Sequence, residues 1–394
     1  MTMPLVDLLI VTNLHFDSAG KLLLSTQYVQ IFVLVSVTLF VGVNIIVPNL
    51  VNSEGFLAPL NIIGIFIGLI FFLISCIFAP FYTSNNDVYH AIIILSFGLV
   101  PLFGFMAVFT FLESIGRESA ILKISIRANV ANVLLDIFLI FILNAPVIAV
   151  VTATSIIRSF MYLEVLGICR RMKYPILTNN LKTYVLDLIK VLRIGGTQSI
   201  SGVLFMLMFI LTVRYLDGVW DERVLSEFSV ALNYMNIMFA IGMAAVVTVS
   251  VNYSDMNFTP AKKKYKYKYK YFYDSLAYLA IVTLFFVSIS PIFAFANGGY
   301  SSLTYPLILA SIAVFFDLMS MIYIVYLRIG GIIIIPPYIR LTLFIIIFIA
   351  LINTAKPSLT EMVLYIAIGN LASLAVLILI CSRVCSRESP KYSI

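Results

Sequence analysis

Residues 58–82 read APLNIIGIFIGLIFFLISCIFAPFY and contain no charged side chain. About 20 consecutive apolar residues are the length that an α-helix needs to cross the hydrocarbon core of a bilayer. The strands of a transmembrane β-barrel alternate apolar and polar residues, whereas this run is continuously apolar, so a β-barrel is excluded. Residues 58–82 therefore predict a membrane-spanning helix.

The rest of the 394-residue chain has the same character. Hydrophobic residues make up 62% of it and charged residues 11%, against about 45–50% and about 25% in an ordinary soluble protein. We predict an all-α polytopic membrane protein with about 12 transmembrane helices, the first of them truncated. The predicted spans cover residues 3–14, 27–50, 58–82, 89–112, 120–143, 147–169, 194–216, 227–252, 274–296, 304–327, 332–353 and 359–382.

The two halves of the chain resemble each other. YVQIFVLVSV (28–37) is similar to YMNIMFAIGM (234–243), and ESIGRESAILKISIR (113–127) is similar to LRIGGIIIIPPYIR (327–340). Six helices in each half predict two six-helix bundles related as a parallel repeat, an arrangement that occurs in secondary transporters. The predicted parts are an N-terminal lobe (1–170), a cytoplasmic linker (171–193) and a C-terminal lobe (194–394) with a short tail.

The basic residues of the loops predict the orientation. Eighteen Lys and Arg residues fall on one side of the predicted spans and four on the other, and such an excess marks the cytoplasmic side. We predict a multi-pass protein of the cytoplasmic (inner) membrane with residues 170–193, residues 253–273 and the C-terminus in the cytoplasm.

The stretch KKKYKYKYKYFY (262–273) alternates lysine and tyrosine as some nucleic-acid-binding segments do. Its predicted place is the cytoplasmic connection between spans 8 and 9, where lysines are attracted to anionic lipids. We therefore predict a topology anchor whose partners are membrane lipids, and no nucleic-acid partner.

Four oxygen-bearing residues fall at a similar predicted depth in the first half. Asn132 and Asp136 lie four residues apart and so project from one face of span 5, while Asp7 lies in span 1 and Thr154 in span 6. Carboxylate, amide and hydroxyl oxygens suit sodium, and two neighbouring carboxylates in a low dielectric can also hold a proton. The alternative is that Asp7 and Asp136 only neutralise nearby arginines.

Three arginines in the predicted spans are candidate substrate or charge partners, because a charge in the bilayer is costly unless it is paired or faces a cavity. Arg127 and Arg158 could neutralise the carboxylates of the first half, and Arg340 lies in the second half.

Several motifs in order resemble the multidrug and toxic compound extrusion (MATE) family, which belongs to a superfamily that also contains polysaccharide-lipid flippases. They are VDLLIVTNL (6–14), SIGR (114–117), ANVANVLLDIFLIF (128–141), LRIGG (192–196) and DLMSMIYIVYLRIGG (317–331). The resemblance covers essentially the whole chain. It implies a sodium- or proton-coupled antiporter that exports small organic compounds by alternating access between two lobes. A lipid-linked oligosaccharide flippase of the same superfamily is the alternative, because such flippases have a more cationic cavity that holds pyrophosphate and the three arginines of the spans would suit it.

The resemblance also implies a cation site. The family's site positions match Asp7, Asn132, Asp136 and Thr154, which would hold sodium or a proton, and a second acidic position of the family matches Asp317. We predict no enzyme activity, no cofactor besides the coupling ion, a small-molecule substrate and a monomeric protein.

The sequence departs from the family pattern in two places. Thr197 occupies the position of a usual proline, and Met1 lies only six residues before Asp7, where family members carry a longer segment. Either the true start lies further upstream, or the chain is an N-terminally shortened member, and a truncated relic that does not transport is a further alternative.

Overall fold

A computed structural model describes residues 7, 10–11, 18–40, 42–47, 50, 53–176, 181–255, 261–296, 301–329, 335–354 and 357–388. No strand occurs among these residues. Thirteen helices can be numbered in them along the chain. They are α1 (Ala19–Leu39), α2 (Val43–Ile46), α3 (Ser53–Tyr82), α4 (Asn86–Phe97), α5 (Leu99–Ser114), α6 (Glu118–Leu143), α7 (Pro146–Arg171), α8 (Leu181–Val219), α9 (Glu222–Asp255), α10 (Ala261–Ala296), α11 (Ser301–Ile329), α12 (Ile335–Ile352) and α13 (Leu359–Glu388).

The helices have the length and composition of membrane spans. Within the described ranges, nine helical segments are long and apolar enough to cross a bilayer, and a shorter apolar helix covers Tyr338–Ile352. Of predicted span 1, Asp7, Ile10 and Val11 are described, and all three are helical. The prediction of an all-α, multi-pass membrane protein is confirmed.

The chain divides into two compact units, Met1–Arg214 and Tyr215–Ile394. The division falls inside α8, which continues without a break from the predicted linker into predicted span 7. The lobe limits at residues 170 and 194, like the membrane orientation, remain predictions.

In the first unit, α8 packs closely on the end of α1. A β-carbon added to Gly195 would lie 1.7 Å from the backbone oxygen of Leu39, and one added to Gly42 would lie 2.7 Å from the backbone oxygen of Val191. Two helices can approach this closely only where side chains are absent from the contact. Glycine at these positions therefore sets the distance between α8 and the end of α1.

Helix α1 begins eight residues earlier than the predicted span 27–50 and ends at Leu39, so both limits of that prediction are wrong. The hydroxyl groups of Ser25 and Thr26, which the predicted span leaves out, are satisfied within the helix. Ser25 Oγ donates to the Leu22 oxygen at 2.9 Å, and Thr26 Oγ1 donates to the same oxygen at 2.8 Å. Lys21 forms an ion pair with Asp87 at 3.0 Å, at the start of α4.

Predicted span 89–112 is interrupted at Gly98, between α4 and α5. Pro101 follows three residues later and cannot donate the backbone hydrogen bond that would continue the helix to residue 97. Gly98 also lies against α7, because a β-carbon there would come within 3.0 Å of Ser155 Oγ and 3.2 Å of Arg158 Cδ. The break thus lets α7 place a large polar side chain beside α4.

The predicted turn at SIGR ends α5. Gly116 has a φ of +74°, a left-handed conformation that glycine adopts without a steric penalty. The Arg117 N–H donates to the Leu112 oxygen at 2.9 Å, which is the pattern of a Schellman helix end. The corresponding glycines of the second half, Gly330 and Gly331, lie outside the described residues.

In the second unit, hydroxyl groups connect three helices. The Tyr234 hydroxyl of α9 donates to the backbone oxygen of Phe286 and lies 2.9 Å from Ser290 Oγ, both on α10. Ser311 Oγ of α11 donates to the Tyr234 oxygen at 3.3 Å. Polar side chains buried in an apolar bundle need such partners, so this cluster helps to fix the three helices together.

The Lys/Tyr stretch belongs to α10, whose first residue is Ala261. The side chains of residues 261–271 lie outside the described part of the chain. Its role as a topology anchor remains a prediction.

Candidate functional site

Helix α6 brings an amide and a carboxyl group together one turn apart. Asn132 and Asp136 are both completely buried. Asn132 Nδ2 donates to Asp136 Oδ2 at 2.9 Å and to Asp7 Oδ1 at 2.6 Å. Because an amide nitrogen carries two hydrogens, a single side chain joins both carboxyl groups.

Helix α7 supplies the fourth member. Thr154 Oγ1 donates to Asp7 Oδ2 at 2.5 Å, and both side chains are buried. Helices α6 and α7 are adjacent in sequence and are joined by a turn in which Asn144 adopts a left-handed conformation, with a φ of 49°. The structure therefore places Asp7, Asn132, Asp136 and Thr154 in one cluster within the first unit.

Two oxygens of the cluster have free acceptor capacity. Asn132 Oδ1 and Asp136 Oδ1 are buried, and neither has a hydrogen-bond partner among the described residues. A buried acceptor that lacks a hydrogen bond costs about 1–3 kcal/mol of stability. Oxygen atoms are the ligands that hard cations prefer.

The cluster also fits a proton. The carboxyl groups of Asp7 and Asp136 accept hydrogen bonds from the same Asn132 amide nitrogen, and one of two carboxyls held this close in a buried site can carry a proton. Within the described residues, no group of three or more His, Cys, Asp or Glu side chains could hold a metal ion. The donor set is instead two carboxyls, one amide and one hydroxyl.

Arg158 lies beside this cluster. It follows Thr154 by four residues on α7, so the two side chains share a helix face. Its side chain is buried, its Nη1 donates to the Leu95 oxygen at 3.3 Å, and it interacts electrostatically with Asp7. Of the arginines proposed as charge partners, this one is placed where it acts on the four-residue cluster.

Arg127 has a different partner. Its Nη2 lies 2.5 Å from Glu164 Oε1, and 61% of the arginine side chain is exposed. The pair connects α6 with α7 through a carboxylate that the sequence did not identify as the partner. The hypothesis that Arg127 neutralises Asp7 or Asp136 has no such contact to support it.

Asp317 and Arg340 form an ion pair in the second unit. Arg340 Nη2 donates to Asp317 Oδ1, and Arg340 Nη1 lies 3.3 Å from Met321 Sδ. Both side chains are mostly buried, with 12% of the arginine and 18% of the aspartate exposed. Two residues predicted separately, as a second acidic site and as a substrate partner, are thus partners of each other.

Comparison with solved structures gives MATE transporters. The chain superimposes on an inward-facing multidrug resistance MATE transporter of the MOP superfamily with a TM-score of 0.82 and 14% identity, covering 99% of this chain and 96% of that one. An outward-facing structure described in the same terms gives a TM-score of 0.69, 14% identity and coverages of 99% and 94%. A eukaryotic MATE transporter gives 0.65, 13% identity, 98% and 94%.

No protein-family model and no curated protein matches the sequence. At identities this low, the structural likeness establishes the fold. The chain has the MATE fold over essentially its full length, which confirms at the level of fold the resemblance found in its motifs.

Proposed function

We propose that this chain is a cation-coupled antiporter that exports small organic compounds across the cytoplasmic membrane by alternating access, with sodium or a proton as the coupling ion. The observation that carries the proposal is the buried cluster of two carboxyls, an amide and a hydroxyl, with two acceptor oxygens left over. The solved structures with the same fold are transporters, two of them described as multidrug resistance proteins.

The cluster couples an ion to the helices that bear it. With both carboxyls ionised, Asp7 and Asp136 repel each other across the Asn132 amide in a medium of low dielectric. Sodium bound at the cluster, or a proton carried by one of the two carboxyls, reduces that repulsion. Because the carboxyls are attached to different helical segments, the gain or loss of the ion changes the free energy of their approach.

The flippase alternative is not favoured. Recognition of a pyrophosphate needs cationic side chains available to bind it. Arg127 is paired with Glu164 and Arg340 with Asp317. Arg158 is buried and donates to the Leu95 oxygen.

The proposal is tested by Asp136→Asn in proteoliposomes loaded with ethidium. Imposed sodium or pH gradients should drive ethidium transport by the wild-type protein and none by the variant, because the substitution removes one of the two ionisable groups. Asp87→Asn is the matched control, since it makes the same change at an exposed carboxylate, which forms an ion pair with Lys21 outside the cluster. Gradient-driven transport by Asp136→Asn equal to that of the wild-type protein would refute the proposal.

If the wild-type protein inserts and folds but transports under neither gradient, the result would support the alternative of a truncated relic that does not transport. The substitution Asp136→Asn keeps the size of the side chain, so loss of transport without loss of the folded protein is the informative result. Size-exclusion chromatography of both variants provides that check.

A further inference from the structure

A buried arginine stands next to the carboxyl cluster in a position that demands an explanation. An uncompensated charge in the interior of a membrane protein is strongly disfavoured. Arg158 is 7% exposed, and Gly98 leaves the space in which its side chain crosses to the Leu95 oxygen. The neutral carbonyl accepts a hydrogen bond but does not compensate the charge.

The compensating charge comes from the carboxyl cluster. Thr154, one turn earlier on the same helix face, donates directly to Asp7, and Asp7 is the group with which Arg158 interacts electrostatically. Two other charges of α6 and α7, Arg127 and Glu164, form an ion pair with each other. With both carboxyls ionised, the cluster and Arg158 together carry one net negative charge.

We propose that Arg158 is a specificity-determining residue that sets the charge of the cation site, so that one monovalent cation completes it. The inference rests on the proposed cation site and adds the number of charges and the residue that fixes it. Arg158 touches no ion in this scheme. It acts through Asp7, and its effect is to weaken sodium binding relative to a site with two uncompensated carboxylates.

The size of the effect follows from Coulomb's law. A tenfold change in affinity corresponds to about 1.4 kcal/mol, and removal of one unit charge beside a buried site changes the electrostatic energy of an ion by an amount of this order or more at an effective dielectric constant of about 20. Arg158→Gln removes the charge and keeps a polar side chain for the Leu95 oxygen. We expect it to bind sodium about tenfold more tightly or better, whereas Arg158→Lys keeps the charge and should bind like the wild-type protein.

The measurement is the thermal unfolding midpoint of the purified protein in detergent, titrated with sodium chloride at constant ionic strength against choline chloride. A ligand that binds the folded state raises the midpoint according to its dissociation constant. Arg171→Gln is the matched control, because it removes the same charge from an exposed position at the end of α7. It should leave the sodium affinity unchanged.

Equal sodium affinity in Arg158→Gln and the wild-type protein, including no measurable binding in either, would overturn the inference. Arg158→Met is measured in parallel as a second neutral variant. Failure of both neutral variants to fold, with Arg158→Lys folded, would also overturn it and assign the arginine a structural role.

The two proposals fail separately. Unchanged affinity together with gradient-driven transport by the wild-type protein rejects the role of Arg158 alone. Tighter sodium binding without wild-type transport supports the role of Arg158 and rejects the antiporter.

Discussion

Asn132 is the residue whose substitution tests most directly what holds the two carboxyl groups of the cluster together. Asn132→Ala removes an amide that donates to Asp7 at 2.6 Å and to Asp136 at 2.9 Å. Each hydrogen bond to a charged group contributes about 1.5–3 kcal/mol, so we expect a loss of about 3–6 kcal/mol. For a domain of about 200 residues, this lowers the unfolding midpoint by about 6 °C or more.

Asn129→Ala is the matched control. It lies three residues earlier on α6, and its Nδ2 donates at 2.8 Å to the backbone oxygen of Ser125. A neutral hydrogen bond of this kind contributes about 0.5–1.5 kcal/mol, and the gain in helix propensity from alanine is the same in both variants. Thermal unfolding in detergent, followed by circular dichroism, compares the two. If Asn132→Ala lowers the midpoint no more than Asn129→Ala does, the amide does not hold the carboxyls together.

Two further predictions concern packing and the second unit. Gly195→Ala should destabilise the protein by about 1–3 kcal/mol or more, because the new β-carbon would meet the Leu39 oxygen. Gly196→Ala has open space around it and should stabilise the protein by about 0.5–1 kcal/mol. Equal unfolding midpoints for the two variants would contradict the close approach of α1 and α8. Asp317→Leu and Arg340→Met should each lower the free energy of unfolding by about 3–5 kcal/mol, because each leaves the other charge of the ion pair without its partner. The double variant should lose much less. Additive losses in the same thermal unfolding assay would show that the two side chains do not act as a pair.

The sequence predicts the spans well where a helix is apolar throughout. It predicts them less well where polar side chains hydrogen-bond to the backbone of their own helix. Residues 58–82 lie within α3, as predicted. The start of α1 was missed because Ser25 and Thr26 look like loop residues, yet their hydroxyls bond to the Leu22 oxygen in the preceding turn. Hydropathy counts such side chains as polar and does not register that the helix satisfies them.

The site shows a similar division. The four-residue spacing placed Asn132 and Asp136 on one helix face, and estimated depth brought in Asp7 and Thr154. The partners of the arginines were not predicted in the same way. Pairing between α6 and α7 depends on the rotation of each helix about its axis, which a sequence without a periodic apolar stripe does not reveal. The signal that could have predicted the Arg127–Glu164 pair is that a charge inside the bilayer needs an opposite charge nearby. Glu164 is a carboxylate on α7, the helix next to the one that carries Arg127.

Charge balance ties these observations together. Within the described membrane-spanning residues, Arg127 is compensated by Glu164 and Arg340 by Asp317. Arg158 has Asp7 as its electrostatic partner. Asp136 then remains as a buried carboxyl that accepts from the Asn132 amide, with one oxygen unbonded among the described residues.

A carboxyl in that position cannot stay ionised in a low dielectric without a counter-charge. Under the proposed function, it gains a proton or a metal cation from outside the chain. A purely structural group would instead be expected to carry its own partner, as Asp317 does. Among these charges, all of them on described residues, Asp136 is the carboxyl without a cationic partner, and this is the physical reason for proposing ion coupling at the cluster rather than at Asp317.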